Sequence, residues 1–239
     1  LPCLSGASGG GKATVCVFLS GWLRPARAAM HCHGRDITIL LPHEITAQGI
    51  ARTFQNIRLF AELTVLDNVL VGCHCRRRAS WWEAVARLPR YGRAERQRLG
   101  QALSLLKEVG LEEVAAEKAG QLPYGHQRRL EIARALATEP RLLLLDEPVS
   151  GVDATTQHAI FALLEELRKD GKTVVVATHD LNCVVERFDQ VLCINRRLIA
   201  YGPAREAFRE GTLSRTYGNH LMMVQVGDRR VVVADEHGH

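Results

Sequence analysis

The sequence predicts an α/β domain, a parallel sheet covered by helices, with a helical segment inserted into it. Three observations carry that reading. Leu142–Leu145 and Thr173–Thr178 are short, almost wholly apolar runs, the first ending in Asp146-Glu147 and the second in His179-Asp180. Runs of this length fit strands buried on both faces of a parallel sheet. Between them, Gln157 to Lys169 sets Ile160, Leu163, Leu164 and Leu167 at helical spacing, and Val191–Ile194 offers a third short strand. From about Thr64 to Ala137 no strand pattern interrupts the helical ones. There Leu99, Leu103, Leu105, Leu106 and Val109 form one stripe, closed by Gly110, and Leu130, Ile132, Ala133 and Leu136 belong to another. One domain is expected, with a core over 1–62 and 137–215, a helical subdomain over about 63–136, and a tail over 216–239 that alternates from Val224 to Val233.

Composition narrows the class. A chain of 239 residues buries roughly 70–75% of its unfolded surface. Hydrophobic residues at 46% and charged residues at 24% exclude a disordered or fibrous chain. The net charge of +5 is mild and dispersed, so it gives no footprint for nucleic acid. Seven irregularly spaced cysteines in a chain this long do not suggest a secreted disulfide scaffold. No run reaches the ~18 apolar residues of a membrane span, and the first residues lack a basic leader. A soluble cytoplasmic domain is expected.

The most specific local signal is Gly6-Ala7-Ser8-Gly9-Gly10-Gly11-Lys12-Ala13-Thr14, after a short possible strand. This is the G-x-x-x-x-G-K layout of a phosphate-binding loop, and it predicts the P-loop NTPase (RecA-like) version of the α/β core. Glycines let the backbone wrap a polyphosphate, the next helix offers its N-terminus to the anion, and Lys12 reaches the β- and γ-phosphates. The motif wants Ser or Thr after the lysine to ligate Mg²⁺, but Ala13 stands there. Thr14 supplies a hydroxyl one position on, turned about 100° around a helix. Asp146 suits a Mg²⁺ contact, Glu147 suits polarising an attacking water, and His179 suits reading a γ-phosphate. The alternative for the acids is a plain helix cap.

Together these segments resemble the nucleotide-binding subunits of ATP-binding cassette transporters. Thr53-Phe54-Gln55 is similar to that family's glutamine loop, and Leu122-Pro123-Tyr124-Gly125-His126-Gln127 to its signature segment. Pro148 to Asp153 resembles the D-loop and His179 the switch histidine. The resemblance implies two cassettes, homo- or heterodimeric, packed head to tail. ATP and Mg²⁺ would lie between one chain's loop and Tyr124, Gly125, His126 and Gln127 of the other. It implies Glu147, His179 and Gln55 as catalytic residues, and Asp146 and Gln55 as Mg²⁺ ligands. It also implies transmembrane permease partners, a periplasmic or extracellular solute-binding protein acting indirectly, no nucleic acid, and a place on the cytoplasmic face of the membrane.

Gly34–Thr38, Gly49–Phe60 and Tyr124–Arg134 are similar to cassettes of branched-chain amino acid importers. Ser150–Gln157, Asn195–Pro203 and Thr216–Gly218 are similar to those of manganese/zinc importers, with the change near Pro148. An amino acid importer is therefore expected, with a metal importer as the alternative. A nucleotide-binding cassette impaired in hydrolysis, or a truncated or chimeric one, is a further alternative. The family's upstream strands and adenine-stacking aromatic have no counterpart here, and Pro123 replaces the signature serine. His31-Cys32-His33, Cys73-His74-Cys75 and the tail histidines read as incidental. Arg76–Arg78 with Trp81-Trp82 reads either as a membrane-side contact or as a solvated run.

Overall fold

Burial on both faces, which the apolar runs demand, is met by a six-stranded sheet in a computed structural model. The described residues are 1–7, 9–32, 34–53, 55, 57–74, 89–218, 221–226 and 229–234. The strands are β1 (Pro2–Ser5), β2 (His31–Cys32), β3 (Arg35–Asp36), β4 (Ile50–Arg52), β5 (Leu142–Asp146), β6 (Thr173–Thr178), β7 (Gln190–Asn195), β8 (Arg197–Pro203), β9 (Leu221–Val226) and β10 (Arg229–Ala234). The helices are α1 (Lys12–Leu19), α2 (Pro42–Ala47), α3 (Val65–His74), α4 (Pro89–Glu108), α5 (Tyr124–Leu136), α6 (Ala154–Lys169), α7 (Leu181–Arg187), α8 (Ala204–Ala207) and α9 (Glu210–Tyr217). The main sheet runs β4-β5-β6-β1-β7-β8, parallel from β4 to β7 and antiparallel only at β8.

Alternation along each strand divides the core. Cys3, Leu143, Leu145, Val174, Val176 and Val191 share one cluster with Phe161 and Leu164 of α6. That cluster continues into Val65, Val69, Leu106 and Leu130 of the helical segment. The intervening residues face the other way: Leu4, Ala177 and Ile194 join Cys16 of α1, and Leu144 joins Ile45 of α2. A period of two with both sets buried is what a doubly covered parallel sheet requires.

Several details differ from the sequence reading. Strands β4 and β8 lie outside the apolar runs, since β4 has three residues and β8 is mostly exposed. Helix α4 buries Arg98, Ala102 and Leu106, while Leu99 and Leu103 are 40% and 37% exposed. The packed face keeps Leu106 and Val109 of the stripe but runs through Arg98 and Ala102 rather than Leu99 and Leu103. Gly110 does close that helix, with φ 65, as Leu111 N–H reaches back to Leu106 O at 2.7 Å. Helix α9 runs into the tail as far as Tyr217, with Thr216 fully buried. The alternating stretch is an antiparallel hairpin, Val226 opposite Arg229. Ser8, His33, Phe54, Cys75, Arg76–Arg78, Trp81, Trp82 and the tail histidines His220, His237 and His239 lie outside the described residues.

Candidate nucleotide site

Strand register gathers the site. Ser5 pairs with Thr178 and Asp146 with Ala177, so the ends of β1, β5 and β6 lie level. The segments leaving these strand ends open into one cleft of about 720 Å³, lined by the glycine loop, Gln55, Asp146, Glu147 and His179. Ligands in open parallel sheets bind at this carboxyl end of the strands.

The loop is built for close backbone approach. A β-carbon on Gly6 would overlap the carbonyl oxygen of Ile194, and one on Gly10 would sit 3.0 Å from the carbonyls of Ala7 and Ile194. Gly11 enters α1 at φ 104, a left-handed conformation that glycine adopts without strain. Arg196 N–H donates to Gly10 O at 2.8 Å, pinning the loop from the β7–β8 turn. Lys12 Nζ donates to Gly6 O and, at 3.4 Å, to Ala7 O. Burial lowers the pKa of this ammonium, against the pull of Glu147 and Asp146. Ala7, Gly9, Gly11, Ala13 and Thr14 also line the cleft, and Gly10 is buried.

The two acids are held differently. Asp146 accepts from Arg52 Nη2 at 3.2 Å in a pair whose side chains are 9% and 7% exposed. Arg52 also donates to Ser20 Oγ at 3.2 Å. Glu147 lies 2.8 Å from Nδ1 of His179 through Oε1 and accepts from Thr178 Oγ1 at 3.3 Å through Oε2. Its backbone takes φ 49, a left-handed conformation uncommon for a residue with a side chain. Neither acid caps a helix here; Asp153 does, accepting from Thr156 N–H at 3.0 Å at the start of α6.

The oxygen donors of Asp146, Thr14 and Gln55 on one cleft suit a hard divalent cation sharing a polyphosphate, so the residues fit Mg²⁺ although Ala13 adds no ligand.

Residues 2–150 match the family described as ABC transporter. The chain belongs to that family. It is 38% identical over 192 residues to the high-affinity branched-chain amino acid transport ATP-binding protein BraF of Pseudomonas aeruginosa, covering 80% of this chain and 75% of BraF. With LivG of Salmonella typhimurium, another high-affinity branched-chain amino acid transport ATP-binding protein, identity is 34% over 216 residues, 90% and 85% of the two chains. The manganese transport system ATP-binding protein MntB of Halalkalibacterium halodurans is 42% identical over 148 residues, 62% and 59% of the two. Among solved structures, an ATP-binding cassette of an ABC transporter in its ADP conformation superposes with TM-score 0.72 at 30% identity, covering 86% of this chain and 81% of that one. The cassette cbiO1 of Clostridium perfringens, part of the ABC transporter complex cbiONQ, superposes with TM-score 0.72 at 28% identity, covering 90% and 81%. The expected fold is thereby met, and ATP binding and ATPase chemistry go with the ABC family.

In this cassette the signature segment lies apart from the cleft. Tyr124, Gly125, His126 and Gln127 form the first turn of α5, and none of them lines the cleft. A β-carbon on Gly125 would meet Thr156 Oγ1 at 2.9 Å, which seats this turn against the start of α6. Burial and the nearby Arg129 lower the pKa of His126. Sequence reasoning missed Arg52 and Tyr217. Tyr217 lines the cleft and its hydroxyl meets Ser5 Oγ at 2.5 Å. Only the topology, which returns the chain's end to β1, could have shown it. Among the described residues no helix is long and apolar enough to cross a membrane.

Proposed function

We propose that this cassette is the ATP-hydrolysing subunit of an importer for branched-chain or related amino acids. The observation that carries the catalytic reading is the meeting of the glycine loop, Asp146, Glu147, His179 and Gln55 in one cleft. The loop amides and Lys12 hold the polyphosphate, and Glu147 orients the attacking water. His179, ordered against Glu147, stabilises the γ-phosphate. Asp146 and Gln55 would hold Mg²⁺, which would supply positive charge against the phosphates. One chain leaves the far side of the nucleotide open. Tyr124, Gly125, His126 and Gln127 of a second cassette complete it, and Asp153 lies on the face where the two meet.

Closure of that pair on ATP and its release after hydrolysis energise permease subunits. Those subunits hold the cassette to the cytoplasmic face of the membrane, and a solute-binding protein acts through them. The core of 1–62 and 137–215, the helical subdomain of 63–136 and the tail of 216–239 are the working units, with the segment after Gln55 meeting the permease. Likeness to BraF and LivG supports the amino acid substrate; likeness to MntB supports a manganese or zinc importer as the second reading.

Mg²⁺-dependent ATP turnover of the purified chain, beside an Ala13→Ser variant, tests the proposal. Turnover in the parent is the expected result, with a lower Mg²⁺ requirement in Ala13→Ser. A silent parent revived by Ala13→Ser means a cassette impaired in hydrolysis. Silence in both overturns the ATPase reading. Reconstituted with its permease, the chain should drive uptake of labelled leucine rather than Mn²⁺; the opposite preference selects the metal importer.

A further inference from the structure

Helix α5 carries a buried polar device on the side turned towards the glutamine loop. Arg128 and Glu131, one turn apart and each 2% exposed, form an ion pair at 2.9 Å through Nη1. The second nitrogen of the same guanidinium, Nη2, donates to the main-chain oxygen of Gln55 at 2.6 Å. The Arg128 guanidinium also lies 5.7 Å from the centre of the Tyr124 ring, in the first turn of α5. Two turns on, the guanidinium of Arg134 stands 5.6 Å from the ring centre of Phe60. Phe60 is itself fixed, since its N–H and carbonyl both bond the fully buried Asn68 side chain, at 3.0 and 3.1 Å. Helix α5 thus grips the segment after β4 at Gln55 and again at Phe60.

A buried ion pair is a poor source of stability, because apolar residues of similar volume often replace it at no loss. Its value here is geometric. A planar guanidinium holds two acceptors in fixed directions, which neither an ammonium nor a thioether does. One such acceptor belongs to α5 itself and another to the backbone of a residue lining the cleft. We infer that Arg128 is a positioning residue that ties the glutamine loop to the signature helix, so that displacement of Gln55 by nucleotide moves Gly125. The roles of Gln55 and Gly125 in this inference rest on the function proposed above.

The test compares the parent with Arg128→Met/Glu131→Met, which removes both charges together, and with Arg128→Lys. Thermal unfolding should place the double variant at or above the parent. In nucleotide-free protein, amide exchange at Gln55 should quicken about tenfold in the double variant and less in Arg128→Lys. A non-hydrolysable ATP analogue should bind both proteins with equal affinity but alter exchange in the Tyr124–Gln127 turn only in the parent. In turnover, kcat should fall about tenfold with KM unchanged. Unchanged exchange at Gln55 in a well-folded double variant overturns the tether, and this arm needs no nucleotide. A signature turn that responds to the analogue equally in both proteins overturns the relay. Failure of the analogue to bind the parent counts against the proposed function, and the exchange at Gln55 still decides the tether.

Discussion

Two hollows lie at opposite ends of the central sheet, and they differ in kind. The cleft of about 720 Å³ is lined from the carboxyl ends of the strands: by the glycine loop after β1, Glu147 after β5 and His179 after β6. The other, about 360 Å³, is lined from their amino ends, by Pro140 before β5 and Lys172 before β6, with the closing turns of α5 and α6. At the first end a helix begins, so amide hydrogens and positive potential face the opening. At the second, helices finish, and their carbonyl ends repel an anion. Glu108, Glu139, Glu166 and Asp170 rim that second hollow over a floor that includes Leu105, Leu163 and Leu167. Strand direction thus suits one hollow to a phosphate and leaves the other with helix ends that do not suit one.

Substitutions should respect this division. The largest effect is expected at Glu147, where Glu147→Gln should slow ATP turnover by about 10²–10⁴, with thermal stability and ATP affinity kept. A rate within twofold of the parent would remove Glu147 from catalysis. Next, Leu167→Ala, at a side chain 3% exposed beneath the second hollow, should cost about 2–5 kcal/mol of folding stability. Calorimetry should find the ATP affinity of the folded protein unchanged; a weakened site would mean the two ends are coupled.

A smaller effect concerns pH. The pKa of Lys12 is lowered mainly by its burial, and in the proposed site the protonated form is the one that would hold phosphate. ATP affinity should therefore be level at neutral pH and fall as pH rises through this lowered pKa, earlier than an ordinary lysine would allow. Lys12→Arg should abolish that fall in a titration series. The smallest change is expected from acid. The pKa of Asp153 is held below the usual carboxylate range by the Thr156 hydrogen bonds, so its capping is present above the unfolded pKa. It is lost as pH falls through the lower folded value, and Asp153→Asn should flatten that loss in acid unfolding.

Legibility in the sequence followed the length and regularity of each signal. The four leucines before Asp146 and the Val174–Val176 run announced buried strands because every position in them is apolar. The glycine loop was readable because tight backbone approach at Gly6 and Gly10 admits no side chain. Strand β4 was not readable, since Ile50-Ala51-Arg52 is too short to show a period. The packed face of α4 was readable only in part, since Leu106 and Val109 of the leucine stripe are buried whereas Leu99 and Leu103 are not. Arg52, Arg128 and Tyr217 escaped notice for a common reason. Their partners Asp146, Gln55 and Ser5 are 94, 73 and 212 positions away, and only the fold brings them together.

The backbone at Glu147, with φ 49, bears on how such a protein drifts under mutation. Glycine would relieve that residue by roughly 1 kcal/mol, which offsets the loss of the carboxylate's bonds to His179 and Thr178. On the function proposed above, loss of activity at this position meets little resistance from folding, and purifying selection holds the glutamate. Inactive descendants would then fold as readily as a working parent and would accumulate wherever the proposed activity ceased to be needed.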